Sequence, residues 1–329
     1  MTAAFAASAS ASPAGEVMIA PLRGAPTSSL LARVAAGQVG GVILLGGWSS
    51  LRATAAAVAR LQQVSCTRRG TPLLVGVDQE GGAVRRLTWA APTLAAASMR
   101  TPSVANAQAR AAARAMRAAG IAIDFAPVAD TLSTPRSFLG TRSFGSDPAT
   151  VAALVRAFVR GLQGGGVAAT AKHFPGLGSA VASTDDRPVA IARSAAFLDA
   201  RLAPFEAAIA AGAKLVMVSN ASYPALDRSG TPAVFSHTIV GELLRRELGF
   251  DGVVVSDALD AGAVAHVADE PGRALAAGVD LLLYSRTSAS EAGYSQLVRD
   301  AATSASVRGE LAAAVRRIDA LKSSLGLAC

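Results

Sequence analysis

Residues 73–82, LLVGVDQEGG, are a short apolar run that breaks directly into charged residues and two glycines. A continuous apolar run without in/out alternation suits a strand buried on both faces of a parallel sheet. Comparable runs recur at 17–20, 41–45, 121–125, 167–171, 215–219, 253–256 and 280–284, which makes eight. Between them, 49–64, 104–119, 148–163, 194–211, 236–247 and 288–303 carry apolar residues every three to four positions. Several of these open at Ser or Asp, the signature of a capped helix. Eight strand-helix units in 329 residues predict an α/β fold, a single (β/α)8 barrel. A doubly wound sheet would show fewer strands and a phosphate-binding glycine motif. Gly46-Gly47 lacks that spacing, and Gly164-Gly165-Gly166 precedes a strand and reads as a helix stop. Residues 1–14 read as a flexible Ser/Ala-rich segment and 15–329 as the barrel, with no linker and no repeat.

With 51% hydrophobic and 16% charged residues the chain is too apolar for disorder, yet no strongly apolar run reaches the ~18 residues of a membrane span. No integral membrane segment is expected. Basic residues outnumber acidic ones 31 to 23, and all but Lys172, Lys214 and Lys322 of the basic set are arginines. They are scattered through helices (Arg110, Arg114, Arg117; Arg245, Arg246) and aromatics are only 5%, so the charge reads as a solvated surface and no nucleic-acid partner is expected. Two cysteines without a C-x-x-C and three histidines give no zinc pattern, and no cofactor or metal is expected. The opening tract MTAAFAASASASPA is too weakly apolar for a signal core but resembles the spacer that follows one. The expectation is an exported protein whose leader is missing, with a cytoplasmic enzyme as the alternative. Cys66 ends a helix before the third strand and Cys329 ends the chain, which puts both at the barrel's bottom, where export would allow a disulfide.

The residues just past the strands are strongly polar: Asp78-Gln79-Glu80 after 73–77, Lys172-His173 after 167–171, Asn220 after 215–219 and Asp257 after 253–256. On a barrel these positions share the catalytic rim, together with the extended stretches 124–147 and 173–194. Carboxylates and donors converging there fit a carbohydrate or another small polar ligand.

Five strings in order, VDQEGGAVRRL (77–87), FAPVAD (125–130), GTRSFGSDP (140–148), AKHFPGLG (171–178) and LGFDGVVVSDAL (248–259), resemble the N-terminal barrel of glycoside hydrolase family 3. The resemblance runs from about residue 17 to 284. It is nearest the single-domain β-N-acetylglucosaminidases that act on peptidoglycan fragments. It implies a retaining glycosidase for β-linked N-acetylglucosamine or a related β-glycoside, with a carbohydrate partner. Asp257 would be the nucleophile, and Asp78, Arg142, Lys172 and His173 would hold the sugar. A cap on a following helix is the structural alternative for both Asp257 and Asp78, and an ion pair with a rim carboxylate for Lys172. Glu80 and Asp130 belong to the motifs and could equally hold loops together. Trp48 reads as packing rather than as a sugar-stacking face.

The pattern departs where the family carries its acid/base. There a D-S-H string supplies a His on a loop, and the aligned residues here are Ser183-Thr184-Asp185. The His inside the preceding motif is Leu177, Ala83 replaces an Arg, and Ala258 replaces a second Asp. Two readings stay open. Either Asp185 or its neighbour Asp186 protonates the leaving group, or the barrel binds glycans and cleaves them poorly or not at all. Hydrolysis against phosphorolysis, the exact sugar and the oligomeric state stay open as well.

Overall fold

All eight apolar runs become parallel strands: β1 (Met18–Leu22), β2 (Gly41–Leu44), β3 (Leu74–Val77), β4 (Ile123–Asp124), β5 (Ala168–Phe174), β6 (Leu215–Val218), β7 (Val253–Ser256) and β8 (Leu282–Leu283). The structure is a computed structural model that describes residues 12–329. The strands pair in the order β8-β1-β2-β3-β4-β5-β6-β7, and a parallel bridge between Val255 and Leu281 joins the two edges into a (β/α)8 barrel. Every strand residue is buried, as a sheet covered by helices outside and filled by side chains inside requires. Of the expected 1–14 tail, residues 1–11 lie outside the described residues, and Pro13 and Ala14 already belong to a short helix, Pro13–Glu16.

The surrounding helices are α1 (Ser28–Ala35), α2 (Leu51–Arg69), α3 (Pro102–Ala118), α4 (Pro148–Gly164), α5 (Ala203–Ala210), α6 (Glu270–Ala277), α7 (Thr287–Thr303) and α8 (Ala305–Ser324). Thr238–Glu247 is wound more widely, and the Leu248 N–H reaches back five residues to the Leu243 carbonyl. The sequence reading did not separate α1, α6 and α8. It also drew one helix over 194–211, where the chain forms Ala195–Asp199 and then α5. Pro204 explains the break, because a proline is tolerated in a helix's first turn but removes a hydrogen bond from its interior. The alanine-rich composition also has a packing reason. A Cβ at Gly161 of α4 would stand 2.6 Å from the Asn106 carbonyl oxygen of α3 and 2.8 Å from Ala109 Cβ, so these helices meet through small residues.

Two structural details set up the site. After β3 the chain makes a small antiparallel hairpin, Gln79–Gly81 against Val84–Arg85, which lifts Glu80 above the strand end. In β5 the register against β6 shifts between Lys172 and Phe174. A shift of this kind re-aims side chains, so that consecutive residues, Lys172 and His173, both line the same cavity.

The opposite, N-terminal end of the barrel is held by a buried ion cluster. Glu16 accepts from Arg69 and from Lys322 Nζ at 2.7 Å, and Arg69 also donates to the Val39 carbonyl at 2.8 Å. Beside it Cys66 of α2 is disulfide-bonded to Cys329, with Cα atoms 5.3 Å apart and a sequence separation of 263. A crosslink over so long a loop restricts the unfolded chain strongly. Reduction, or Cys329→Ser, is expected to lower unfolding stability by about 2–5 kcal/mol. Urea unfolding with and without reductant measures it, and a midpoint indifferent to reductant would show that the bond does not form in solution.

Candidate active site

The cavity lies at the C-terminal ends of the strands, with a volume of about 430 Å³, in the range of small-ligand sites. Asp78 follows β3, Lys172 and His173 end β5, and Asp257 follows β7. Longer segments add Arg142 from the 125–147 stretch and Asp185 from the 175–194 stretch. All six residues singled out from the sequence therefore line one cavity.

Charge balance organises one wall of the cavity. Lys172 Nζ lies 2.6 Å from Asp78 Oδ1 and 2.7 Å from Glu80 Oε1. Arg142 donates twice to Glu80, through Nε and Nη2, both at 2.8 Å. Burial alone would push the Glu80 carboxyl up, but Lys172 and Arg142 outweigh it and hold it at about 2. The same partners act in return: burial works against the Lys172 ammonium, and Asp78 and Glu80 hold its pKa above the ordinary lysine value. Glu80, left open as a loop holder, is thus the shared counter-ion of two cavity-lining cations. Beneath them Asp124 accepts the Gln79 N–H at 3.0 Å, and burial pushes its carboxyl well above the usual range.

Asp130, the other residue left open, orients His173. Its Oδ2 accepts the His173 backbone N–H at 3.1 Å and meets ring Nδ1 at 2.8 Å, and Oδ1 takes the Leu177 N–H at 2.5 Å. With Nδ1 engaged, Nε2 is the ring nitrogen left for a ligand.

Neither helix-cap alternative holds. A hairpin follows Asp78, and turns rather than a helix follow Asp257. Asp257 Oδ1 accepts the Ala258 N–H at 2.8 Å, while Asn220 Nδ2 donates to the Ala258 carbonyl at 2.8 Å and braces that turn. Burial pushes the Asp257 carboxyl up, His173 pulls it down, and Asp185 pushes it up again. Asp185 is therefore electrostatically in reach of Asp257. Asp186 is not part of the cavity lining.

The strip carrying Asp185 is docked through its backbone. The Gly262 N–H donates to the Asp185 carbonyl at 2.7 Å, and the Ala263 N–H to the Thr184 carbonyl at 3.0 Å. A Cβ at Gly262 would fall 2.3 Å from the Asp186 carbonyl oxygen, so only glycine permits this approach. Trp48 packs as expected, with Nε1 donating to the Leu45 carbonyl at 3.2 Å. The sequence reading missed three charged lining residues: Arg23, Arg86 and Asp260. Arg86 lay inside a quoted motif and Arg23 directly after a strand, which was the available signal. Asp260 is occupied by the Ser285 N–H at 2.8 Å and Arg286 Nε at 3.0 Å.

This arrangement has a counterpart in known proteins. Residues 16–321 match the model of the Glycosyl hydrolase family 3 N terminal domain. The chain belongs to glycoside hydrolase family 3, and so to the glycosidases. A "Beta-hexosaminidase" of Xanthomonas oryzae pv. oryzae is 38% identical over 240 residues, covering 69% of this chain and 71% of that protein. Among solved structures, a β-N-acetylhexosaminidase from Beutenbergia cavernae superposes with a TM-score of 0.87 at 33% identity, over 94% of this chain and 97% of that one. A glycoside hydrolase family 3 β-N-acetylglucosaminidase from Paenibacillus sp. gives a TM-score of 0.89 at 32% identity over 96% of this chain. This family 3 chain spans 62% of the Paenibacillus protein's length. Within the described residues of the family 3 barrel, no helix is long and apolar enough to cross a membrane.

The shared counter-ion carries a stability prediction. Removing Glu80 leaves two cations without their buried partner, and Glu80→Ala is expected to cost about 3–5 kcal/mol in urea unfolding. A loss below about 1 kcal/mol, the range of exposed ion pairs, would mean that the cations find water instead.

Proposed function

We propose that this barrel is a retaining β-N-acetylhexosaminidase in which Asp257 forms the glycosyl-enzyme and Asp185 serves as the acid/base. Relatives named for β-hexosaminidase and β-N-acetylglucosaminidase activity support the substrate class. The observation that carries the mechanism is the pair of carboxylates in one cavity: Asp257 fixed at a strand end, and Asp185 on a docked strip close enough to perturb it. A retaining glycosidase needs such a pair, one ionised beneath the anomeric carbon and one delivering a proton to the leaving oxygen. Asp185 then takes back a proton from water when the glycosyl-enzyme is hydrolysed. Asp78, Arg142, Lys172 and His173 supply the acceptors and donors that fix the sugar hydroxyls. The reading extends to export, because a Cys66–Cys329 bond persists in an oxidising compartment.

The test is turnover of 4-nitrophenyl β-N-acetylglucosaminide, the matching β-glucoside and an N-acetylglucosamine disaccharide. Asp257→Ala is expected to abolish all turnover. Asp185→Asn is expected to retain kcat/KM, which reports formation of the glycosyl-enzyme, on the activated aryl substrate and to lose about 10²- to 10⁴-fold of it on the disaccharide, which depends on leaving-group protonation. Equal losses on both substrates would remove Asp185 from the acid role. Binding of the disaccharide by the wild type with no turnover of any substrate would favour the glycan-binding alternative.

The pH dependence follows from Asp257. As nucleophile it must be ionised, and burial raises its pKa. The acid limb of kcat/KM should therefore fall off at a pH above the ~3.9 of an ordinary aspartate. A limb at or below that value, read from an aryl-glycoside pH profile, would contradict the assignment.

A further inference from the structure

Asp124 is the last residue of β4, paired with Val77 of β3 on one side and Ala169 of β5 on the other. It is fully buried and is not part of the cavity lining, so it lies beneath the site without touching a ligand. Oδ1 accepts the Gln79 N–H at 3.0 Å, and Oδ2 is buried with no hydrogen-bond partner. The charged groups that face it are Asp78 and Glu80 from the segment after β3 and Lys172 from β5. Lys172 is already held between Asp78 and Glu80, at 2.6 and 2.7 Å, and Arg142 is held by both oxygens of Glu80. Two cations therefore balance two carboxylates before Asp124 is counted.

A third carboxylate here would be a buried charge with one hydrogen bond and no cation of its own, an arrangement that proteins avoid by keeping the group neutral. The carboxylic acid asks for less. Its Oδ1 still accepts the Gln79 N–H, and the proton rests on Oδ2. Burial, and then Asp78 and Glu80, favour that form, against the Gln79 N–H and Lys172.

Gln79 is the route from Asp124 to the cavity. Its backbone joins Asp78 to Glu80, the two acceptors of Lys172. Its side chain accepts the Leu87 N–H at 2.9 Å and donates to the Leu87 carbonyl at 3.2 Å and the Ala91 carbonyl at 2.9 Å. The side chain thus ties the hairpin to the chain that follows it, and the N–H bond to Asp124 ties its root to the barrel.

We propose that Asp124 is held as the neutral carboxylic acid and serves as a positioning residue, fixing Asp78 and Glu80 through Gln79 while leaving Lys172 to those two carboxylates. Its kinetic consequence rests on the reading of the cavity as a glycan site, and its protonation state does not.

The variants are Asp124→Asn, which keeps the acceptor and the neutral charge, and Asp124→Ala, which keeps only the neutral charge. Infrared spectra at neutral pH read the proton directly: the wild-type-minus-Asn difference is expected to contain the C=O band of a protonated carboxyl, and its absence overturns the proposal. Urea unfolding reads it a second way. A carboxyl whose pKa is higher folded than unfolded loses stability as pH rises, so the wild-type midpoint should fall relative to that of Asp124→Asn as pH rises from about 4 to 7. A difference that is flat or of the opposite sign means an ionised Asp124 and overturns the proposal. With 4-nitrophenyl β-N-acetylglucosaminide, Asp124→Ala leaves the Gln79 N–H unpaired and is expected to raise KM at least about tenfold, more than it lowers kcat. Asp124→Asn is expected to recover most of that loss. Equal damage from both variants, or none from Asp124→Ala, overturns the positioning role. If Asp124→Ala does not fold, Asp124→Asn alone decides, and a KM raised about tenfold by it counts against the proposal. A wild type that turns over no glycoside removes the catalytic reading, while the infrared and unfolding measurements still decide the state of Asp124.

Discussion

One carboxylate holds the rim together. Glu80 sits where three segments would otherwise repel or drift: the hairpin after β3, the end of β5 bearing Lys172, and the long stretch bearing Arg142. Two cations can be buried there only because a common counter-charge lies between them at hydrogen-bond distance. Glu80 and Lys172 are both nearly inaccessible, so the contribution of Glu80 is to hold the buried ammonium and the partly exposed Arg142 in place.

The barrel and its loops divide the remaining work. Asp257 and Asp78 leave strand ends, where the sheet's own hydrogen bonds fix the backbone. Asp185 has no strand beneath it and is placed instead by main-chain bonds from Gly262 and Ala263. Those bonds are indifferent to the side chains at 183 and 185. The fold can therefore keep the strip docked whatever side chain stands at position 185. What the docking does constrain is position 262, because the approach to the Asp186 carbonyl leaves no room for a Cβ.

The barrel was legible in the sequence because strands buried on both faces are mostly apolar, and β1 to β8 are, apart from polar residues concentrated toward the C-terminal ends of β4, β5 and β7. Helix boundaries were less so. α1 and α6 are only two turns long, too short for their apolar stripes to stand out, α8 carries a weak stripe beyond the last strand, and Pro204 interrupts what reads as one helix. Every residue expected to touch the sugar lines the cavity: Asp78, Lys172 and His173 sit at strand ends that the topology aims at one rim, and Arg142 reaches it from the long segment after β4. What the sequence withheld was pairing. Nothing in its spacing says that Glu80 rather than Asp130 would neutralise Lys172, or that Asp130 would turn the His173 ring.

The electrostatics also tie recognition to chemistry. Burial and Asp185 both oppose ionisation of Asp257, while His173 and Lys172 favour it. Lys172 keeps its charge because Asp78 and Glu80 sustain it. The groups proposed to bind the sugar therefore also set the ionisation of the proposed nucleophile. A loss of activity on substituting Lys172 or His173 would combine weaker binding with a harder-to-ionise Asp257, and the two separate only through the pH profile, since binding shifts the plateau and ionisation shifts the limb.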